Sequence, residues 1–438
     1  VSSPHSPSKE LTFEELPLFT LLSETIFCTG EPTKGDGMAD DTIAKHFNIW
    51  DPALADDPHA TLAELRRQCP VAWTEEWGGH WFVSSYEETH EVVSDYKRFS
   101  SREVTVPNTP FPDGPQLPIQ YDPPAHTAYR HVIAPGFSPK RVAEEEPAVR
   151  TLARQLFGAI VEKGSSNFLT DFALPLPSIT VLRLLGFPVE DMEKLMQFKY
   201  EMLINLYSED EVVRNRVQNE VRPEFNAYVK THLDARRQME NPPDDAMSSM
   251  LFGQLEGHEK MTDGEIARAC MLLLTAGLDT VTQTMMLMFE YLAKNPDIRH
   301  QLKDKDIIPS AVEEFLRYFS IVTLARQCTE DTVLGGRQIK ANQMVQVSPP
   351  SAGRDGKEFP NPDVIDLRRS PNRHLAFGGG PHRCPGSHLA RMELRVTLEE
   401  MVDIMPDFEL APGFVAPRRF GVIMGIDALE LVIPSKQG

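Results

Sequence analysis

Phe377-Gly378-Gly379-Gly380-Pro381-His382-Arg383-Cys384-Pro385-Gly386 is the stretch on which the reading of this 438-residue chain turns. Three consecutive glycines ahead of a cysteine give a backbone with φ freedom and no side-chain bulk, able to lie close against a flat ligand. Cys384 then sits at the tip of a turn, just before a helical pattern that starts at Ser387. Amide N–H groups around such a turn can donate to a thiolate and lower its pKa. Alone, the stretch also reads as a glycine-rich turn with an incidental cysteine, so the rest of the chain has to discriminate.

The other four cysteines, Cys28, Cys69, Cys270 and Cys328, are widely and irregularly spaced. An odd total with no C-x-x-C pair is a poor disulfide framework and no zinc pattern, and it fits a reducing cytoplasm. The apolar share of 41% and charged share of 25% are those of a globular protein. The net charge of −20 argues against nucleic-acid binding, which needs a basic face. No run approaches 18 uninterrupted apolar residues, and the partly apolar stretch 16–28 lacks a positive flank, so neither a membrane span nor a signal peptide is expected.

Residues 1–37, rich in Ser, Pro, Thr and Gly, are expected to be poorly ordered, either as an upstream extension before Met38 or as a native tail. Residues 38–438 read as one large catalytic domain, mainly α with minor β. A strand is predicted at 80–83 and a helix at 87–93. Seven prolines between 107 and 124 make a long loop. Helices are predicted over 139–163, 175–186, 189–207, 210–239, 262–294 and 309–319. Strands 332–334 and 344–347 are read as flanking the Gly335-Gly336 turn.

Two helices are legible in detail. Thr262-Asp263-Gly264-Glu265 is a capping box, opening about 33 residues, or roughly 50 Å, that end before Pro296. This helix is apolar on every side, so it should run through the core. Its middle nevertheless holds Ala276-Gly277-Leu278-Asp279-Thr280. A mid-helix glycine costs about 1 kcal/mol, and a buried aspartate costs more unless paired. The second helix is read as capped by Ser310 and Glu313, with Glu314 and Arg317 on one face.

With these features assembled, the chain resembles the cytochrome P450 family from about residue 47 onward. Phe377, Gly380, Cys384 and Gly386 match that family's F-x-x-G-x-x-x-C-x-G haem-ligand pattern. Glu314 and Arg317 match its E-x-x-R pair, whose third member aligns best with Arg369, Arg368 being the competitor. Ala276, Gly277, Asp279 and Thr280 match the oxygen-binding groove of the long central helix. The segment 122–130 matches D-P-P-x-H-x-x-x-R, which assigns His126 and Arg130, with Arg326 and His382, to the haem propionates.

The resemblance implies haem b buried between the long central helix and the cysteine loop, with Cys384 as its iron ligand. It implies a soluble cytoplasmic monooxygenase, monomeric, using dioxygen and a small apolar substrate. Thr280 and Asp279 would be the catalytic pair: an alcohol beside the oxygen site and an acid relaying protons. The chain has neither a flavin motif nor an iron–sulfur cysteine cluster. Electrons from NAD(P)H are therefore expected through an external ferredoxin and its reductase, docking near Arg130, Arg373, Arg383 and Arg391.

Within the family the likeness is to the bacterial camphor hydroxylases, with one departure. Their substrate-anchoring tyrosine has no counterpart in the loop 107–119, where Gly114 stands about in its place. The expected pocket is lined by Leu272, Thr275, Ala276, Val322, Val422 and Ile423, with Phe111 near its lid and Thr275 or Asn108 as a polar contact. A compact terpenoid-like substrate follows. Competing readings are epoxidation, desaturation or coupling chemistry, or a haem sensor without turnover.

Overall fold

A computed structural model of the protein describes residues 43–434, apart from 109–113, 205–209, 257–258 and the side chains of 203 and 204. The segment 1–37, with its Cys28, and the lid residue Phe111 lie outside the described residues.

The central helix, Asp263–Lys294, carries the capping box read from the sequence: Glu265 N–H donates to Thr262 Oγ1 (3.2 Å) and Thr262 N–H to Glu265 Oε2 (2.8 Å). Pro296 opens the next short helix. Among the described residues it is the one helix long and apolar enough to cross a membrane, and 72% of its apolar window is buried inside the protein. It packs on the helices Pro175–Leu185 and Arg222–Gln238 and on the strand Gly425–Ile426. Its glycine has a packing reason. A Cβ at Gly277 would lie 2.7 Å from Val181 Cγ2, so the crossing with Pro175–Leu185 is too close for alanine.

Pro139–Lys163 has the expected bounds because both ends are chemically marked. Ser138 caps it, Pro139 takes the first turn, and Gly164 closes it at φ +75°. It packs along Ser387–Ile404, the helix after the cysteine, and ion pairs Arg150–Glu400 (2.6 Å), Arg154–Glu400 (2.7 Å) and Arg395–Glu146 (2.6 Å) stitch the two together. Phe157, Phe168, Phe172, Phe289 and Phe408 stack in the core beside this pair. Each such buried ring contributes about 1.5–3 kcal/mol.

The sheets are small. The largest takes its strands in the order Val71–Thr74, His80–Val83, Met344–Val347, Leu324–Cys328 and Phe99–Ser100. His80–Val83 runs parallel to Met344–Val347, and the other pairings are antiparallel. This corrects one sequence expectation. The Gly335-Gly336 turn joins Thr332–Leu334 to Arg337–Ile339, a strand too short to announce itself, while Met344–Val347 belongs to the larger sheet.

Three helical boundaries also differ. The predicted 210–239 helix is Glu211–Arg216 and Arg222–Gln238 joined by a π-turn at Val217–Val221, and the predicted 189–207 helix opens with a 3₁₀ turn before Met192–Ile204, its end at 205–207 lying outside the described residues. The predicted Ser310 cap is absent. The helix Ile308–Tyr318 has Ile307 at its cap position, three residues before Ser310, and Ser310 Oγ donates instead to the Ile307 and Leu367 carbonyls.

Candidate active site

The cysteine loop is built by close approach to a neighbouring helix. Gly380 has φ +58°, and a Cβ there would lie 2.9 Å from the Ser94 carbonyl oxygen; one at Gly379 would meet Val93 at 2.9 Å. Gly379 and Gly380 let the loop press on the end of Tyr86–Ser94. Cys384 N–H donates to the Phe377 carbonyl (2.9 Å) and closes the loop. The Arg391 guanidinium stands 4.5 Å from the Phe377 ring centre and forks onto Glu313 (2.6 and 2.8 Å), which His374 also contacts at 3.0 Å. Burial opposes ionisation of Glu313, but hydrogen bonds from Arg391 and His374 hold its carboxyl down at about 2.

Burial pushes the Cys384 thiol up, against the Gly386 N–H and the charges of Arg130, Arg383 and Arg391. The amide donation expected from the turn exists, but for the polypeptide alone desolvation outweighs it.

Beside the loop four nitrogen-bearing side chains converge. His126 and Arg130 come from the helix Ala125–Ile133, Arg326 from the strand Leu324–Cys328, and His382 from the loop itself. The His126 and His382 rings are 4.1 Å apart. Burial and nearby guanidinium groups push them down to about 4 and about 3, so both are neutral near pH 7. Arg326 is 4% exposed, pushed down to about 10 by burial, and donates to its neighbour's Ala325 carbonyl (2.8 Å). Arg130 donates to the Arg383 carbonyl (2.7 Å).

The nearby carboxylate, Asp122, lies 4.0 Å from His382 and already accepts from the Ser100 hydroxyl and the Ser101 N–H. His126 Nδ1 and His382 Nε2 have no hydrogen-bond partner among the described residues. Two guanidinium groups and two imidazoles around one engaged carboxylate form a donor set that suits further anionic oxygens. With the partly buried Cys384 thiol alongside, it fits haem: a sulfur for iron and nitrogen donors for two propionates.

On the opposite wall is the central helix. Ala276 is exposed although the residues around it are largely buried. Thr280 Oγ1 donates to the Ala276 carbonyl (2.8 Å), so what its hydroxyl offers outward is an acceptor. Asp279 is buried and ion-paired with Lys199 of the helix Met192–Ile204, itself buried. That pairing is what makes a carboxylate tolerable inside the core.

Of the expected pocket residues, Val322 and Ile423 form an antiparallel bridge, flanked by Thr323 N–H to the Val422 carbonyl (2.9 Å) and Met424 N–H to the Ile321 carbonyl (2.8 Å). Leu272, Thr275, Val322, Val422 and Ile423 are all partly exposed. Thr275 gives its proton to the Met271 carbonyl (2.9 Å), and Asn108 engages Glu103.

Glu314 and Arg317 are fully buried, with Arg317 Nε and Nη2 on the two carboxylate oxygens (2.8 and 2.7 Å). Arg369 joins them, its Nε 3.0 Å from Glu314, whereas Arg368 turns outward to Asp304 (2.7 Å). Of the four arginines read as a docking patch, Arg391 is spent on Glu313 and Arg373 on Glu358 (3.0 Å). Their charges are neutralised locally, which the sequence could not reveal. The sequence also missed Lys199, the partner of Asp279, because no spacing links residues so far apart in the chain.

A family model described as Cytochrome P450 matches residues 52–412. The chain is 31% identical to "Probable cytochrome P450 127A1" of Sinorhizobium fredii, over 89% of this chain and 94% of that protein. It is 32% identical to Nocardicin C N-oxygenase of Nocardia uniformis subsp. tsuyamanensis, over 87% and 97% respectively. The crystal structure of CYP101J2 matches with a TM-score of 0.80 at 30% identity, covering 92% of this chain and all of that one.

Proposed function

The chain belongs to the cytochrome P450 family, and from that premise we propose that it hydroxylates a compact apolar substrate of monoterpenoid size, with electrons from a separate ferredoxin and its reductase. Its class is not in question: it is a haem-dependent monooxygenase, an oxidoreductase supplied with NAD(P)H-derived electrons through redox partners.

Bound between the central helix and the cysteine loop, the haem supplies the redox chemistry that activates dioxygen, favoured by a thiolate ligand. Cys384 is the ligand in this reading. Cys384 would hold the iron as a thiolate, whose charge the Gly386 N–H with Arg130, Arg383 and Arg391 would favour. Arg130 and Arg326 would counter the propionate charges, and neutral His126 and His382 would donate to their oxygens. The small side chain of exposed Ala276 would leave room on the haem side of the helix, while Gly277 serves the close crossing with Pro175–Leu185. Thr280 Oγ1 accepts a hydrogen bond at the oxygen site, and Asp279 carries protons inward from the solvent side. Glu314, Arg317 and Arg369 hold the core behind the cysteine loop.

The observation that carries the substrate reading is the lining. Val322, Val422 and Ile423, which the family resemblance assigns to the pocket, are held together by backbone pairing, and the polar candidates Thr275 and Asn108 are engaged elsewhere. Roughly ten buried carbons at about 25 cal/mol per Å² supply several kcal/mol without a polar anchor. One hydrogen bond would add only about 1 kcal/mol.

The test is a screen of bicyclic monoterpenes, fatty acids, steroids and macrolides for shifts of the haem absorption band, then NADH turnover with added ferredoxin and reductase. Shifts from the monoterpenes, with hydroxylated products, support the reading. Shifts confined to long-chain acids or macrolides overturn the substrate. An unhydroxylated oxygenation product overturns the reaction.

A further inference from the structure

Glu313 and Glu314 are neighbours on the helix Ile308–Tyr318, and their carboxylates go to different places. Glu314 is fully buried on Arg317 and Arg369, whereas Glu313, 29% exposed, turns to the cysteine loop. There it receives Arg391 as a fork, from Nε (2.6 Å) and Nη2 (2.8 Å), together with His374 Nε2 (3.0 Å). The Ala376 N–H donates to His374 Nδ1 (3.3 Å). That nitrogen is therefore an acceptor, and the ring proton sits on Nε2 and goes to Glu313.

Both partners of Glu313 also meet the Phe377 ring. The Arg391 guanidinium is 4.5 Å from its centre, and the His374 ring centre is 5.9 Å away. The Phe377 carbonyl accepts the Cys384 N–H (2.9 Å). On the other flank, Arg391 Nη1 donates to the Ser387 carbonyl (3.4 Å), and the Ser387 N–H donates to the Cys384 carbonyl (3.4 Å). Contacts thus lead from one carboxylate to the N–H of Cys384 through Phe377 and to its carbonyl through Ser387. Among the described residues no other carboxylate pairs with Arg391. Its charge, standing over the residue that orients the cysteine, is cancelled at Glu313.

We propose that Glu313 is a positioning residue for Cys384: it clamps Arg391 and His374 against Phe377, and it cancels the Arg391 charge that the iron ligand would otherwise feel. This rests on the reading of Cys384 as the haem ligand and adds what holds and tunes it. A merely structural ion pair would cost stability when broken but would leave the iron's reduction potential in place. A charge-cancelling pair gives opposite signs for its two halves.

The experiment uses the haem-loaded protein without ferredoxin, titrating ferric against ferrous with a reductant and redox dyes and recording the reduced carbon monoxide spectrum. Glu313→Gln keeps the size of the side chain but leaves Arg391 uncompensated, so it should favour the ferrous form about tenfold, raising the midpoint by about 59 mV. Arg391→Gln should lower the midpoint, because the Glu313 charge then stands alone. The double variant should return to within about threefold of wild type. Arg391→Lys keeps the charge but loses the fork and the flat face on Phe377. It should keep the midpoint, yet its carbon monoxide complex should lose the red-shifted band several-fold faster than wild type, as should that of Glu313→Ala. Midpoint shifts of the same sign in Glu313→Gln and Arg391→Gln, or none, overturn the charge pairing. A band as durable as wild type in Arg391→Lys and Glu313→Ala overturns the clamp. Should Glu313→Gln not take up haem, Arg391→Gln and Arg391→Lys carry the same test. If Cys384→Ala keeps the red-shifted band, the ligand assignment is wrong, while the signs of the midpoints still decide the pairing.

Discussion

Glu314→Gln removes the charge from a carboxylate on which five donors converge: Nε and Nη2 of Arg317, Nε of Arg369, Nδ2 of Asn372 and the Asp366 N–H. The Arg317 guanidinium keeps the Gly353 and Pro362 carbonyls (both 2.7 Å) but has no other anion, and its side chain is 0% exposed. Stripping one partner from a buried pair costs about 3–5 kcal/mol, since the remaining charge stays desolvated. At 1.4 kcal/mol per tenfold, that is roughly a hundredfold to a few thousandfold in the folding equilibrium. Arg368→Ala removes the neighbouring arginine from an exposed pair with Asp304, 66% and 49% exposed, where about 0–1 kcal/mol is at stake. Urea titrations of the three proteins, followed by tryptophan fluorescence and by haem absorbance, should therefore place Glu314→Gln far below wild type and Arg368→Ala beside it. If the two variants fell within about 1 kcal/mol of each other, the buried network would not hold the core behind the cysteine loop.

Cys384→Ala should abolish the red-shifted absorption of the reduced carbon monoxide complex, while Cys69, Cys270 and Cys328 should each be replaceable without that loss. Thr280→Ala should retain haem but divert reduction to peroxide, costing about 10²–10⁴-fold in the step served; unchanged coupling would assign the protons to another group. Ala276→Phe should block the monoterpene-induced spectral shift while the haem protein persists, and normal binding in that variant would refute the pocket. Glu393 is fully buried beside Thr180, and burial pushes its carboxyl up to about 8. Its folded pKa lies above the unfolded one, so the stability it contributes is present below about pH 4.5 and lost as pH rises toward 8. Glu393→Gln should match wild type in urea at pH 5 and exceed it at pH 8.5; a constant difference across that range would contradict the assignment.

The sequence made the helix 139–163 legible because its ends are local chemistry: Ser138, Pro139 and Gly164 mark them within a few residues. The cysteine loop and the E-x-x-R pair were legible as motifs, but their physical reasons were not. Nothing adjacent in sequence says that Gly380 leans on Ser94, or that Glu314 is buried and not on the surface. Asp279 was conspicuous as a costly residue, yet its partner Lys199 lies 80 positions away and has no signature of its own. Ser310 misled for the opposite reason. A capping pattern formed by chance inside a helix, and Ser310 instead bonds the Leu367 carbonyl across a tertiary contact.

The five-stranded sheet has a temporal consequence. Its first two strands end at Val83, and the strand that pairs in parallel with the second of them begins at Met344. At about 5–20 residues per second, the ribosome needs roughly 10–50 seconds to make the intervening chain. Throughout that interval His80–Val83 exposes an open hydrogen-bonding edge, a template for pairing with another nascent chain. Cys384 is translated later still. Yield of the intact protein should therefore be set by how long this early hairpin is shielded during synthesis, and slower initiation, with fewer chains per messenger, should raise it more than added haem.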